Sequence, residues 1–389
     1  MDRDEIRDEI IKTTNPYILC EMPTGIGKSR VAIELMVKRK IKPEKVLIVI
    51  PRLVLINNWK DEFDKWEHPE YKNATFVTYV SFPKMAGKWD MVIFDECHHL
   101  SQRCQDCLYA FKIKNAIFLS ATVKREFKFN IVGYFPNMAM YKLNVKEATN
   151  EGILPNPKVY LIPLYLKNSP ATYEIIKNKG KGKPLTITYP QRWNYKTYKG
   201  QLIIKCSQRE YYSDMSSLID FYNRRSMGNQ KMRNLFLHEC GRRLKWLSDQ
   251  KTQFVHNLLL QLHKERTLTF CNGVLQTEVL GHHCINSKNK DSKKNLDDFN
   301  DGKINHITAC NMLDEGVNLT NCRVGVYATL NSSDRMIVQK LGRLLRHPNP
   351  IIIIPYYKHT RDEEIVLKMC ENYDKNLVTT INDLDELVL

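Results

Sequence analysis

Nine short apolar runs rich in β-branched residues punctuate this chain, at 17–21, 46–50, 75–80, 91–95, 116–120, 159–164, 268–271, 324–328 and 351–355. Stretches of helical texture, at 29–40, 252–263 and 333–345, lie between some of them. A run such as Val46-Leu47-Ile48-Val49-Ile50, apolar at every position, suits a strand covered on both faces. Covered strands alternating with helices build parallel, doubly wound sheets, so the expected fold class is α/β. The 389 residues suffice for two or three domains with proper cores. Texture changes at Glu151-Gly152-Ile153-Leu154-Pro155-Asn156-Pro157, which reads as a hinge between two batches of strands. The expected division is 1–149 and 150–389, with a basic insertion at about 167–232 near the start of the second part.

Several classes drop out. No apolar run approaches the roughly 20 residues of a membrane span, so no membrane association is expected. The charged start, Met1-Asp2-Arg3-Asp4-Glu5, is unlike a secretory signal. Eleven scattered cysteines suggest free thiols in a reducing, cytoplasmic setting. The net charge of +16 suggests an anionic partner, nucleic acid first, although charge also serves solubility. Much of it is local: residues 166–250 hold 17 Lys+Arg, 6 Asp+Glu and eleven aromatics, including Trp193, Tyr195 and Tyr198. Basic residues interleaved with aromatics suit a groove that tracks a nucleic-acid backbone; a solvated surface over an aromatic core fits equally.

Three segments carry chemistry. Met22-Pro23-Thr24-Gly25-Ile26-Gly27-Lys28-Ser29 follows an apolar strand and opens a helix, the context of a phosphate-binding loop. Glycines let backbone N–H groups approach phosphate oxygens, Lys28 would bridge the β- and γ-phosphates, and Ser29 would ligate Mg²⁺. The first position departs from the usual glycine, being Met22. Met91-Val92-Ile93-Phe94-Asp95-Glu96 is an apolar strand ending in two carboxylates, one suited to holding Mg²⁺ and one to orienting and deprotonating a water. Gln339-Lys340-Leu341-Gly342-Arg343-Leu344-Leu345-Arg346 sets two arginines on one face if helical, able to stabilise charge on a γ-phosphate; taken alone it reads first as a basic helix end.

In order, these segments resemble the motifs of superfamily 2 helicases and translocases. The loop 22–29 is similar to motif I and Asp95-Glu96-Cys97-His98-His99 to a DExH-type motif II. Ile50-Pro51-Arg52-Leu53-Val54-Leu55 with Asn58-Trp59 resembles motif Ia, Thr78-Tyr79-Val80-Ser81 a neighbouring strand-contact motif, and Ser120-Ala121-Thr122 motif III. Thr269-Phe270-Cys271, Asp314-Glu315-Gly316-Val317-Asn318-Leu319 and 339–346 resemble motifs IV, V and VI. Within the superfamily the chain looks most like XPB/RadD/UvsW-like enzymes, phage-encoded ones above all.

The resemblance implies two RecA-like lobes, ATP and Mg²⁺ as cofactors, and action on DNA in branch migration, fork remodelling or duplex opening, within replication, recombination or repair. Its implied catalytic set is Lys28, Asp95, Glu96, Gln339, Arg343 and Arg346. Nucleotide would be held by Pro23, Thr24, Gly25, Ile26, Gly27, Lys28, Ser29, Glu315 and Gly316, and Mg²⁺ by Ser29 and Asp95. Ser120 and Thr122 would couple the lobes, and Pro51, Arg52, Thr78 and Thr308 would touch nucleic acid. A monomer is implied, because two fused lobes complete one ATP site, in the cytoplasm of a phage-infected bacterium if the phage likeness holds. RNA is an alternative substrate. Two further readings are a nucleic-acid-binding scaffold with a decayed ATP site and an unrelated P-loop enzyme such as a small-molecule kinase. Cys104-Gln105-Asp106-Cys107 lacks the second ligand pair of a structural zinc site.

Overall fold

The computed structural model describes residues 2–176, 185–188, 201–310, 319–330, 344 and 346–389, with side chains outside 170–176, 185–188 and 201–205. Among these, the strands form three sheets. The first is six-stranded and wholly parallel, built from β1 (Tyr17–Glu21), β2 (Val46–Ile50), β3 (Thr75–Thr78), β4 (Lys88–Asp95), β5 (Lys112–Ser120) and β6 (Ala139–Lys142) in the order β3-β2-β4-β5-β1-β6. Its helices are α1 (Arg3–Lys12), α2 (Lys28–Lys38), α3 (Leu55–Lys65), α4 (Gln102–Asp106), α5 (Arg125–Tyr134) and α6 (Val145–Asn150).

The uninterrupted apolar runs follow from burial on both faces. Along β2, Val46, Ile48 and Ile50 enter one core cluster while Leu47 and Val49 enter the other. On the second face Phe94 stacks on Phe118, ring centroids 4.6 Å apart. The segment expected as a hinge is packed rather than loose: Gly152 takes φ +72°, and the next two residues, Ile153 and Leu154, are buried in the core. Arg3 of α1 donates to the Ile153 carbonyl at 2.8 Å, which ties the segment to the first lobe.

The second large sheet is seven-stranded and parallel. It comprises β7 (Lys158–Leu164) and, after a small sheet of β8 (Pro170–Ile176), β9 (Leu185–Thr188) and β10 (Gln201–Ser207), the strands β11 (Thr267–Phe270), β12 (Cys284–Ile285), β13 (His306–Ala309), β14 (Val324–Tyr327), β15 (Ile351–Tyr357) and β16 (Val378–Thr380). Their order is β12-β13-β11-β14-β15-β7-β16. Helices α7 (Gln208–Arg225), α8 (Gln230–Gln261), α9 (Val274–Leu280), α10 (Ser292–Asn300) and α11 (Arg361–Cys370) accompany it. Two parallel sheets flanked by helices are thus the architecture expected from the sequence.

Helix α8 is the outlier in length: 32 residues where the apolar pattern marks only 252–263. Its later part lies along the sheet, with Val255, Leu258 and Leu262 buried against β7, β14 and β15, while Leu260 points outward at 63% exposure. It crosses the carboxyl edge of the sheet near 245–249, where Asn272, just beyond β11, donates to the Lys245 carbonyl and Asp249, and Ser248 donates to the Ala328 carbonyl. Residues 230–244 therefore continue past that edge by about 20 Å at 1.5 Å per residue. Helix α7 pairs with this extension, burying Tyr211, Met215, Ile219 and Tyr222. The part of the basic insertion described here is thus a small sheet and a helical prong; 177–184 and 189–200 lie outside the described residues. No helix among the described residues is long and apolar enough to cross a membrane.

Candidate nucleotide site

The loop 22–29 joins β1 to α2 at the carboxyl edge of the first sheet, where ligands sit in open α/β folds. Both Gly25 (φ +93°) and Gly27 (φ +92°) adopt the left-handed conformation that side chains disfavour. At Gly27 space is not the constraint, since an added Cβ would meet only the Arg30 Cβ at 3.9 Å. Met22 stands where glycine is usual because its side chain belongs to the core, 2% exposed, while its N–H donates to the Ser120 carbonyl at 2.9 Å. Pro23 is buried and Ile26 is 8% exposed, so one side of the loop is anchored. Lys28 folds its ammonium onto the carbonyls of Met22 (2.9 Å) and Pro23 (3.1 Å). Burial lowers its pKa, against the raising effect of Glu96, Asp95 and Cys20; Arg346, from the second lobe, adds to the lowering. Ser29 is half-buried at the start of α2.

The parallel register delivers the acidic pair. Glu21 lies opposite Ser120, and Leu119 lies opposite Asp95, so the ends of β1, β5 and β4 share one edge. The Asp95 carboxylate accepts the Glu96 N–H at Oδ1 (3.0 Å) and the Trp59 indole N–H at Oδ2 (3.0 Å). Glu96 sits at φ +47°, a conformation costing roughly 1–3 kcal/mol that clusters at functional sites. Its carboxylate lies 3.4 Å from His98 Nδ1, which is 2.9 Å from Ser120 Oγ, and Ser120 donates to the Thr122 carbonyl at 3.0 Å. Motifs II and III are joined by this chain of polar contacts.

The fit to a nucleotide and Mg²⁺ rests on these donors and on one orphan. Thr24 Oγ1 is buried within the loop with no hydrogen-bond partner among the described residues, a costly arrangement unless a ligand completes it. A lysine, two lone-pair-rich carboxylates and the N-terminus of an 11-residue helix form a suitable donor set for phosphates and a hard cation.

The other expected residues fall unevenly. Pro51 and Arg52 follow β2, Thr78 ends β3 opposite Ile50, and Leu53, Val54 and Val80 stand exposed beside them at the same carboxyl edge. Thr308 needs correction: on β13 it is 0% exposed and its hydroxyl donates to the Thr277 carbonyl at 2.9 Å, so no strand can reach it. Glu315, Gly316, Gln339 and Arg343 lie outside the described residues. Arg346 is described, and Glu62 of α3 lies within its electrostatic reach. Cys104 donates to the Tyr79 carbonyl, and no group of three or more His, Cys, Asp or Glu side chains among the described residues could hold a metal ion. Sequence reasoning missed the Trp59 bond to Asp95, although Asn58-Trp59 stood within the motif Ia resemblance.

A lysine-bearing glycine loop and an acidic pair at the edge of one parallel sheet, with Arg346 of the second lobe within electrostatic reach of the lysine, are the parts of a two-lobed nucleoside-triphosphate hydrolase. The family comparisons are specific. The profile of the type III restriction enzyme, res subunit, matches residues 4–84, and that of the helicase conserved C-terminal domain matches 250–348. The chain is 22% identical over 376 residues to the DNA 3'-5' translocase XPB2 of Sulfurisphaera tokodaii, covering 89% of this chain and 79% of that protein. In fold it resembles S. cerevisiae Dbp5 bound to RNA and ADP BeF3, with a TM-score of 0.56 at 12% identity over 97% of this chain and 89% of that one. These matches support a superfamily 2 helicase or translocase that hydrolyses ATP.

Proposed function

We propose that this protein is a DNA translocase that couples ATP hydrolysis to opening or remodelling branched DNA, as a monomer. The observation that carries the reading is the shared edge: the Lys28 loop, Asp95 and Glu96 end beside segments 51–54 and 78–80, where Arg52, Leu53, Val54 and Val80 are exposed, so nucleotide and strand would occupy one continuous surface. Lys28 would neutralise the β- and γ-phosphates, Ser29 and Asp95 would hold Mg²⁺, and Glu96 would orient and deprotonate the attacking water. Mg²⁺, when bound, supplies charge neutralisation on the phosphates. Gln339, Arg343 and Arg346 would reach the γ-phosphate from the second lobe, and Glu315 and Gly316 would join that cleft to the strand. DNA is preferred because the relative matched along most of the sequence is named a DNA translocase. RNA is the second reading, since the fold alone is equally that of an RNA-bound protein. Replication, recombination or repair of branched DNA, in a phage or elsewhere, is the setting that suits such an activity.

The α7–α8 prong would meet the duplex. Its tip carries Arg224, Arg225, Lys231 and Arg233, all exposed, around Met227 at 95% exposure, and it overhangs the carboxyl edge of the second sheet. Cations that neutralise phosphates around an apolar wedge suit a duplex junction. Removing 167–232 outright would strip α8 of the partner that buries Tyr211 and Met215, so tip substitutions test the idea more cleanly. Replacing Arg224 and Lys231 by glutamate should weaken binding to forked DNA by about tenfold or more at moderate salt and flatten its salt dependence. Hydrolysis without DNA should be unchanged. Fork binding within twofold of wild type would remove the prong from the account. An ATP-dependent fork-opening assay with DNA and RNA substrates tests the wider reading; opening of RNA forks alone would reverse the substrate assignment.

A further inference from the structure

Each segment proposed to touch the strand is closely followed by, or contains, a buried aromatic side chain that reaches Asp95. Segment 51–54 runs directly into α3, whose stripe Leu55, Trp59 and Phe63 is buried against the sheet. Trp59, only 3% exposed, donates its indole N–H to Asp95 Oδ2 at 3.0 Å. From the neighbouring strand, Tyr79 follows Thr78 directly and is 6% exposed, and its hydroxyl donates to the Asp95 carbonyl at 2.7 Å. Tyr79 is also bound to the first segment's strand, its N–H donating to the Ile50 carbonyl at 3.3 Å. Asp95 is therefore held at its carboxylate by one segment and at its backbone by the other.

We infer that Trp59 and Tyr79 are positioning residues that carry engagement of a strand to the Mg²⁺-binding aspartate, making hydrolysis responsive to nucleic acid. The inference rests on the proposed function. An N–H to a carboxylate fixes its orientation and supports its charged form, and such outer contacts set both metal affinity and turnover. Rigid packing makes α3 suited to the task. Its buried stripe leaves little room for the indole to move independently of the helix, so a strand pressing on 51–54 would shift Trp59 with it. On the same helix, Glu62 accepts from the Trp66 indole at 2.8 Å and lies in electrostatic reach of Arg346. A shift of α3 would therefore bear on both lobes' contributions to the nucleotide site.

Trp59→Phe and Tyr79→Phe each keep a ring and remove one donor. Four readouts apply: thermal melting, binding of labelled single-stranded DNA, hydrolysis with and without that DNA, and the Mg²⁺ concentration that half-saturates binding of a fluorescent ATP analogue. Strand binding should stay within twofold of wild type, while stimulation by DNA falls about tenfold in either variant and half-saturating Mg²⁺ rises severalfold in Trp59→Phe. Stimulation and Mg²⁺ dependence within twofold of wild type would overturn the relay. So would equal losses of basal and stimulated hydrolysis with unchanged Mg²⁺ dependence, the signature of a merely structural role. Tyr79→Phe loses only a hydroxyl, so it keeps the test decisive if Trp59→Phe does not fold. A wild type indifferent to every polynucleotide would overturn the proposed function and the relay together, whereas stimulation that survives both substitutions overturns the relay alone.

Discussion

Replacing Lys28 by alanine is expected to lower ATP hydrolysis by at least about a hundredfold, with the protein still folded. The ammonium is the cation aimed into the loop 22–29, held there by the carbonyls of Met22 and Pro23 and close enough to Glu96 and Asp95 to feel both. Those carbonyls are weak partners for a charge that burial already disfavours, so the lysine is poised to exchange them for phosphate oxygens. Removing a preorganised charge from a phosphoryl-transfer site costs about 3 kcal/mol or more of transition-state stabilisation, which is the hundredfold. Steady-state hydrolysis at saturating ATP, with thermal melting as a control, checks it. Hydrolysis within fivefold of wild type would show that the phosphate chemistry lies elsewhere.

The largest expected effect on stability lies far from that loop. Lys251 of α8 is 0% exposed and pairs with Asp362 of α11 at 2.8 Å, while the same carboxylate oxygen accepts the Tyr357 N–H at 3.3 Å. The pair locks the long helix to the end of β15, so it sets the base of the prong. Lys251→Ala would leave a buried carboxylate without its cation, at a cost of about 3–5 kcal/mol. For a lobe of this size that lowers the melting transition by roughly 10 °C. Lys251→Met with Asp362→Leu removes both charges and keeps the volume, and it should recover most of the loss. Differential scanning calorimetry separates the cases: a Lys251→Ala transition within about 2 °C of wild type would show that the pair contributes little.

Where apolar runs were unbroken, the architecture was legible from residue types alone. Strands β2 and β15 are buried at every position, and β1, β4 and β5 over 18–20, 91–94 and 116–120, so those stretches must be apolar or small. Edge strands are less demanding: β6 alternates between half-buried and exposed residues, and Ala139-Met140-Tyr141-Lys142 carries no clear strand signal. The first half of α8 escaped notice because beyond the sheet it packs on α7 rather than on the core, so its apolar stripe is thin.

At the site, the loop and the acidic pair were legible because glycine, lysine and carboxylate chemistry is tied to local spacing. Thr308 was misjudged because a strand's residues alternate faces, and only the packed neighbour α9 decides which face is covered. The Trp59–Asp95 bond joins residues 36 positions apart, and nothing in either segment alone announces it.

On the proposed function, strand and nucleotide would share one edge of the fold, each sensing the other. The most direct test measures ATP hydrolysis by the wild-type protein without polynucleotide and with single-stranded DNA, forked DNA or RNA, under otherwise identical salt and Mg²⁺. Stimulation of about tenfold or more by DNA, strongest with the fork, is the result predicted by the assembly of Lys28, Asp95 and Glu96 beside 51–54 and 78–80. Hydrolysis at the same rate with every polymer and with none would contradict it.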